Sequence, residues 1–217
     1  MSPQALKARK GEETRAQILD AAVQQASEAG FESLTIGSLA ERTGLSKSGL
    51  FAHFGSRTDL QIATLDEASR RFTEAVFLPA LKVPRGLKRL HALFGNWITW
   101  PEHAKLRGSC PMQAASGEYD DQPGPMRDAV AERQRHLARE LAKAVQLAVE
   151  SGELRPDTDA RQFVFEMFGL VLAYYHTQRL LGDTGASARA LAGFDRLVQA
   201  HRAPAATVAP RPAAARR

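Results

Sequence analysis

The sequence predicts an all-α protein of about nine helices. Three observations carry that reading. Apolar residues recur at three- and four-residue spacing through most of the chain, and no stretch alternates apolar and polar residues over a strand's length. Glycines and prolines stop these periodic runs at helix-sized intervals. The 217 residues suffice for a small N-terminal helical domain and one larger helical domain, and a hydrophobic content of 44% supplies their core. No internal repeat is visible.

Residues 1–10 read as a flexible basic arm bearing Lys7, Arg9 and Lys10. Helix one is expected from about Glu13 to Ala29, with Ile18, Leu19, Ala22, Val23 and Ala26 facing inward, and it stops at Gly30. The stretch from Thr35 to Leu60 is the most informative in the chain. Thr35 can cap a helix over 36–43, because its hydroxyl can accept an orphan backbone N–H. Ile36, Leu39 and Ala40 share one face of that helix. Gly44 suits the left-handed residue that ends a helix, and Leu45 pins the turn inward. Ser46 caps a short helix, Lys47 to Phe54, with Leu50 and Phe54 four apart on one face. Lys47, Ser48, Gly49, Phe51 and His53 fall on its other faces, and Gly55 closes it. Ser56, three residues ahead of Asp59, is a capping box for a fourth helix. That helix continues through Leu60, Leu65, Phe72 and Val76 until Pro79 and Pro84 break the pattern.

Leu87, Leu90, Phe94, Trp97 and Ile98 give an amphipathic fifth helix, followed by a loop over 100–109. A short helix around Met112 to Ala115 comes next, then a loop from Gly117 to Pro125 rich in Asp, Gly and Pro. Pro125 fits the first turn of a long helix with Met126, Val130, Leu137, Leu141, Val145 and Ala148 inward, ended by Ser151-Gly152. Asp157 or Thr158 starts the next helix. Its segment 163–172 is apolar nearly all round and needs cover on most sides. Ser187 caps a final helix carrying Leu191, Phe194, Leu197 and Val198. From Arg202 onward the Ala/Pro/Arg composition cannot build a core and is expected to be disordered. The expected division is an arm over 1–10, a first domain over 11–57, a second over 58–201 and a tail over 202–217.

Helix, glycine turn and short helix near an N-terminus make the layout of a helix-turn-helix DNA reader. A helix fits the major groove, where small polar residues in its first turn reach base edges. Lys47 suits guanine O6/N7 or a phosphate, Ser48 donates or accepts, and Gly49 permits close approach. Thr35, His53 and Arg57 are placed for phosphates, and the helix starts at Ser46 and Ser56 add backbone N–H groups with partial positive charge.

The segment from about Thr14 to Leu60 resembles the DNA-binding domain of the tetracycline-repressor (TetR) family of bacterial transcription regulators. The resemblance rests on Gly30-Phe31, Thr35, Ala40, Gly44-Leu45-Ser46, Leu50-Phe51, His53-Phe54, Ser56 and Leu60, with the inward face of the first helix. Three positions depart from the family's habit. Phe51 stands where tyrosine is usual and lacks its hydroxyl. Arg57 stands where lysine is common. Ser48-Gly49 reverses the usual glycine-then-small order.

The resemblance implies a homodimer held by the last two long helices as a four-helix bundle. It also implies an operator of double-stranded DNA and a small effector, apolar or aromatic, bound between helix four and the subunit interface. Phe94, Trp97, Cys110, Met112, Phe168, Tyr175 and His176 are the expected lining. A dimer of this kind sets two recognition helices about 34–36 Å apart, in successive major grooves. Repression relieved by ligand is the family's usual outcome, and the sequence does not distinguish it from activation.

Composition bounds the alternatives. The net charge is +5, yet residues 1–60 carry seven basic and seven acidic side chains, and residues 61–201 carry eighteen against seventeen. The excess lies in the four arginines of the tail, so electrostatics favours DNA only locally, through the arm, Lys47 and Arg57. One cysteine, Cys110, excludes an intrachain disulfide and fits a reducing cytoplasm. A signal-peptide core is not seen, and the longest apolar run, 163–175, is too short to span a bilayer, so no membrane partner is expected. The chain has no Gly-x-Ser-x-Gly, no Walker loop, no Gly-x-Gly-x-x-Gly and no Glu-x-x-His pair; no catalytic residue, cofactor or metal is expected. The acidic stretch Glu118, Asp120, Asp121 lacks calcium-loop spacing and reads as a solvated loop.

Overall fold

The computed structural model describes residues 2–204. Among the described residues nine helical rods follow one another: α1 (Pro3–Ala29), α2 (Ile36–Thr43), α3 (Lys47–Phe54), α4 (Arg57–Phe72, continued by a π turn over Thr73–Phe77 and an α turn over Leu78–Leu81), α5 (Leu87–His103), α6 (Pro111–Tyr119), α7 (Pro125–Glu150), α8 (Ala160–Tyr175, continued by a π turn over His176–Leu180) and α9 (Ala186–His201). The single β-type pairing there is an isolated bridge between Leu154 and Arg202. The all-α reading therefore holds.

Local chemistry explains the first rods. Thr35 Oγ1 accepts from Ser38 N (3.0 Å), and Ser38 Oγ accepts from Thr35 N (3.2 Å), a reciprocal cap on α2. Ser46 Oγ accepts from Gly49 N (3.1 Å) at the start of α3, and Ser56 Oγ accepts from Asp59 N (3.0 Å) at the start of α4. Gly44 turns the chain at φ 69°, in the left-handed region that a Cβ disfavours. Ile18, Phe31, Leu34, Leu39, Leu50 and Leu60 are buried together, so α1, α2 and α3 close a small core against the start of α4. That core runs without interruption into the one built by α4 to α9.

Several boundaries differ from expectation. Helix α1 starts at Pro3, not near Glu13, so the stretch expected as a flexible arm is helical from its third residue. Ser2 caps it, Pro3 fits its first turn, and the residues that follow are good helix formers that override Gly11. Pro79 does not end α4. Its ring would collide with the Ala75 carbonyl in a regular ladder, and the π turn just before it loosens that ladder. Leu78 N–H reaches back to Thr73 O, and Asn96 Nδ2 donates to the Val76 carbonyl (3.0 Å). The rod ends past Leu81, where Arg89 Nε donates to Val83 O (3.2 Å).

Pro101 lies inside α5, where a loop was expected. It leaves the Trp97 carbonyl without its usual partner, and Tyr175 Oη donates to that oxygen (3.1 Å). Helix α6 extends to Tyr119, past the loop expected from Gly117, because Glu118 and Tyr119 are held from outside the helix. Asp159, not Asp157 or Thr158, caps α8, its Oδ1 accepting from Arg161 N (2.8 Å). Ser187 lies within α9, which begins at Ala186. At the tail, Arg202 pairs with Leu154 and Ala203 N donates to Glu153 O (3.0 Å), so its first residues are pinned. The rest of the expected disordered tail lies outside the described residues.

Candidate nucleic-acid interface and effector cleft

Helix α3 buries Leu50 and Phe54 and turns Lys47, Ser48, Phe51 and Ala52 outward. The exposed set combines one ammonium, one hydroxyl, one aromatic ring and one methyl on the second helix of a helix-turn-helix. Phe51 is 50% exposed, a large apolar surface for so short a helix. Lys47 reaches toward α2: a Cβ at Gly37 would stand 3.8 Å from Lys47 Cε and 3.7 Å from Thr35 Oγ1. Lys47 and the N-terminus of α2 thus gather positive charge at one place. Thr35 and Ser46 are exposed but their hydroxyls already serve the caps, and Ser48 Oγ lies 3.1 Å from Ser46 Oγ. Gly49 and His53 are half-buried.

Arg57 has partners within the chain. Its Nε donates to Leu34 O (2.9 Å), and its Nη2 donates to Glu32 O (2.6 Å) and pairs with Glu32 Oε2 (3.0 Å). Two of its three nitrogens hold the turn between α1 and α2, while the side chain stays partly exposed. The fork of a guanidinium allows this, where a lysine offers one point.

The reader is fastened to the larger domain by residues that sequence reasoning missed. Gln61 Nε2, on α4, donates to Phe31 O (2.9 Å). Gln24 Oε1, on α1, accepts from Arg107 N (3.0 Å), and Ser27 O accepts from Ser109 N (2.9 Å). A Cβ on Gly108 would overlap the Ser27 carbonyl, so the loop before α6 lies directly on α1. Glu118 Oε1 and Oε2 accept from Phe31 N (3.1 Å) and Glu32 N (2.8 Å), and Tyr119 Oη donates to Glu32 Oε1 (2.8 Å). The signal available in the sequence was glycine at 30 and 108, but a glycine does not name its neighbour.

The expected effector lining is mostly core. Phe94 stacks on Phe194 with centroids 4.3 Å apart, and Trp97 meets Phe168 edge-on at 4.8 Å. Cys110 is buried, and burial pushes its thiol up to about 11. Tyr175 is buried against Trp97, while His176 is exposed. Met112 borders a roomy cleft, and Tyr175 a much smaller one. The roomy cleft, about 400 Å³, lies between α4, α6 and α7, with Phe72, Phe77, Leu78, Leu81, Met112 and Leu137 as its apolar wall. Ser69, Thr73, Arg133, His136 and Glu140 supply polar groups at its edge. Arg133 is bound to Asp66 of α4. Aromatics at helical spacing met one another across α5, α8 and α9 and filled the space they were expected to line.

Among the described residues, nine large apolar side chains are left exposed, and they fall in few places. Phe165, Leu172, Leu180, Leu181 and Leu191 are on or between α8 and α9, Leu78 and Leu81 are at the cleft, Phe51 is on α3, and Leu6 is on α1. Among the described residues, no group of His, Cys, Asp and Glu could hold a metal ion, and no helix is long and apolar enough to cross a membrane.

Comparison with known proteins gives the same geometry a lineage. Residues 18–64 match the family described as bacterial regulatory proteins, tetR family, and residues 86–194 match the tetracyclin repressor-like C-terminal domain. The chain is similar to a TetR transcriptional regulator from Chloroflexus aurantiacus J-10-FL, at 23% identity and a TM-score of 0.82, over 91% of this chain and 100% of that one. A TetR-family transcriptional regulator from Cytophaga hutchinsonii follows at 18% identity and a TM-score of 0.79, over 90% and 98%. AibR, solved in complex with isovaleryl coenzyme A and operator DNA, is similar at 21% identity and a TM-score of 0.67, over 88% and 99%. None of the curated proteins matches the sequence.

Proposed function

The chain belongs to the tetR family of bacterial regulatory proteins, and from that membership we propose that it is a homodimeric repressor released from a palindromic operator by a small molecule. As a regulator of this family it is a DNA-binding protein that controls transcription. The observation that carries the finer reading is the outward face of α3, on which Lys47, Ser48, Phe51 and Ala52 stand free of the core. Lys47 supplies a donor for guanine or phosphate, Ser48 a hydroxyl, and Phe51 and Ala52 apolar contact suited to thymine methyls. Thr35, Ser46, Gly49 and His53 flank that face and are proposed to position the backbone. Arg57 acts one step back, bracing the reader.

Self-association through α8 and α9 is supported by exposure. Phe165 is 72% exposed in the single chain and Leu172 44%, seven residues apart on a helix whose other face buries Phe163, Val164, Met167 and Val171. Five large exposed apolar side chains fall between residues 165 and 191, more than a monomer needs to leave in water. An isologous pair covers them with the same surface of its mate and presents two α3 helices by symmetry.

The effector is proposed to occupy the cleft between α4, α6 and α7. Its volume of about 400 Å³ suits a small ligand, and its apolar wall with a polar edge suits one that is apolar on one side. AibR, with its coenzyme A thioester and operator DNA, lends weight to the same pair of partners. The cleft touches the two helices, α4 and α6, whose other ends hold the reader. A ligand that prefers the cleft opened shifts the population away from the DNA-competent spacing, by its difference in affinity for the two states.

The test is selection of genomic fragments by the purified protein, followed by mobility shift. Retarded fragments sharing an inverted repeat support the reading. Uniform retardation of all duplexes, or none at low salt, overturns it.

A further inference from the structure

We propose that Glu118 and Tyr119 are positioning residues of the DNA reader: from α6 they fix the attitude of α1 to α3 directly, independently of the covalent link through α4. The proposal rests on the functional reading above. Its ground is a closed set of hydrogen bonds around Glu32. Glu118 accepts from the backbone N–H groups of Phe31 (3.1 Å) and Glu32 (2.8 Å) with its two oxygens. Tyr119 Oη donates to Glu32 Oε1 (2.8 Å), while Arg57 Nη2 donates to Glu32 Oε2 (3.0 Å). One carboxylate on the α1–α2 turn is thus shared between α6 on one side and α4 on the other, and the turn itself is gripped by a second carboxylate.

The arrangement is directional, which distinguishes it from packing. An apolar contact lets two surfaces roll, whereas two N–H groups aimed at two oxygens of one carboxylate set an angle. It is also built against resistance. Burial pushes the Glu118 carboxyl up, its two amide bonds pull it down, and the charge of Glu32 pushes it up again. Glu32 is held low by Tyr119 first and by Arg57 next. Two carboxylates are kept side by side where an apolar pair would join the surfaces without repulsion. Gly30 completes the fit: at φ 78° the backbone passes so near that a Cβ there would overlap Glu118 Oε1. The other end of α6 carries Met112, which borders the cleft and takes a hydrogen bond from Ser69 of α4 (3.7 Å to Sδ). Six residues of helix, about 9 Å, separate the wall of the cleft from the grip on the reader.

The test uses the full-length protein and the variants Glu118→Gln, which keeps the side chain's volume, and Tyr119→Phe. Two quantities are read: amide exchange at Phe31 and Glu32, and affinity for a fragment selected by the wild type against a random duplex. Glu118→Gln should speed exchange at those two amides by at least about tenfold, with Leu39 and Leu50 unchanged. It should weaken the selected fragment at least about fivefold while random-duplex affinity stays within about twofold. Tyr119→Phe should give a smaller change of the same kind. Unchanged exchange with unchanged affinity overturns the proposal. So does a loss of protection spread evenly over the chain with a lower melting temperature, which assigns the two residues to general stability. If the wild type selects no fragment, the functional reading fails, and the exchange measurement alone decides the grip.

Discussion

On the proposed reading, Lys47 is the first side chain of α3 to test for specificity. It is exposed, stands in the first turn of α3 and has its stem along Gly37 of α2. Lys47→Ala should weaken the selected site by about 1–3 kcal/mol, with a smaller loss on random duplex. Measurement by anisotropy at fixed salt separates the two, and an equal loss on both DNAs would assign the ammonium to a phosphate. Cys110 gives an opposite kind of prediction. Its thiol is buried and pushed up to about 11, so the thiolate needed for reaction is scarce near neutrality. An alkylating reagent at pH 8 should leave it intact in the native protein and modify it after denaturation. Rapid native labelling would contradict that burial.

Residues were legible in the sequence where the rule was local. The caps at Thr35, Ser46 and Ser56 and the turns at Gly30, Gly44 and Gly55 follow from backbone chemistry within four residues. Arg57, Glu118 and the effector lining were not, because their partners lie far along the chain. Glu118 meets Phe31 across 87 positions, and Tyr175 meets Trp97 across 78.

Elements were read well in kind and less well at their ends, and the misses share a cause. Proline was taken to stop a helix, but Pro79 and Pro101 both sit inside continuing rods. Each is tolerated in its own way: the π turn loosens the ladder just before Pro79, and Tyr175 Oη donates to the Trp97 carbonyl that Pro101 orphans. This gives a prediction for α5. Tyr175→Phe removes the donor and leaves a buried carbonyl unpaired, so unfolding free energy should drop by about 1–3 kcal/mol. Denaturant melts of the two proteins check it; an unchanged midpoint would mean that water reaches Trp97 O. The π turn in α4 has a second consequence. It lies along the wall of the cleft, so the helix that carries the reader is least regular where a ligand would press on it. The length of α6 escaped sequence reading for a tertiary reason, since its last residues, Glu118 and Tyr119, are secured by Phe31 and Glu32.

At the scale of the whole molecule, the exposed apolar residues state what the chain lacks. The apolar run at 163–172 is covered only in part by one chain, which leaves Phe165 and Leu172 exposed. Phe165→Glu should leave the fold intact, since the ring is 72% exposed, and should convert the dimer to a monomer. Sedimentation at micromolar concentration checks it, and a variant that still sediments as a dimer would move the interface elsewhere. Loss of the dimer should also lose the operator, because a single reader spans one half-site.

Footprinting the wild-type protein on a fragment it has selected from its own genome should show two protected half-sites related by a two-fold axis, about 34–36 Å apart, on one face of the duplex. A single short footprint, or protection that spreads with no preferred sequence, would contradict the proposed function.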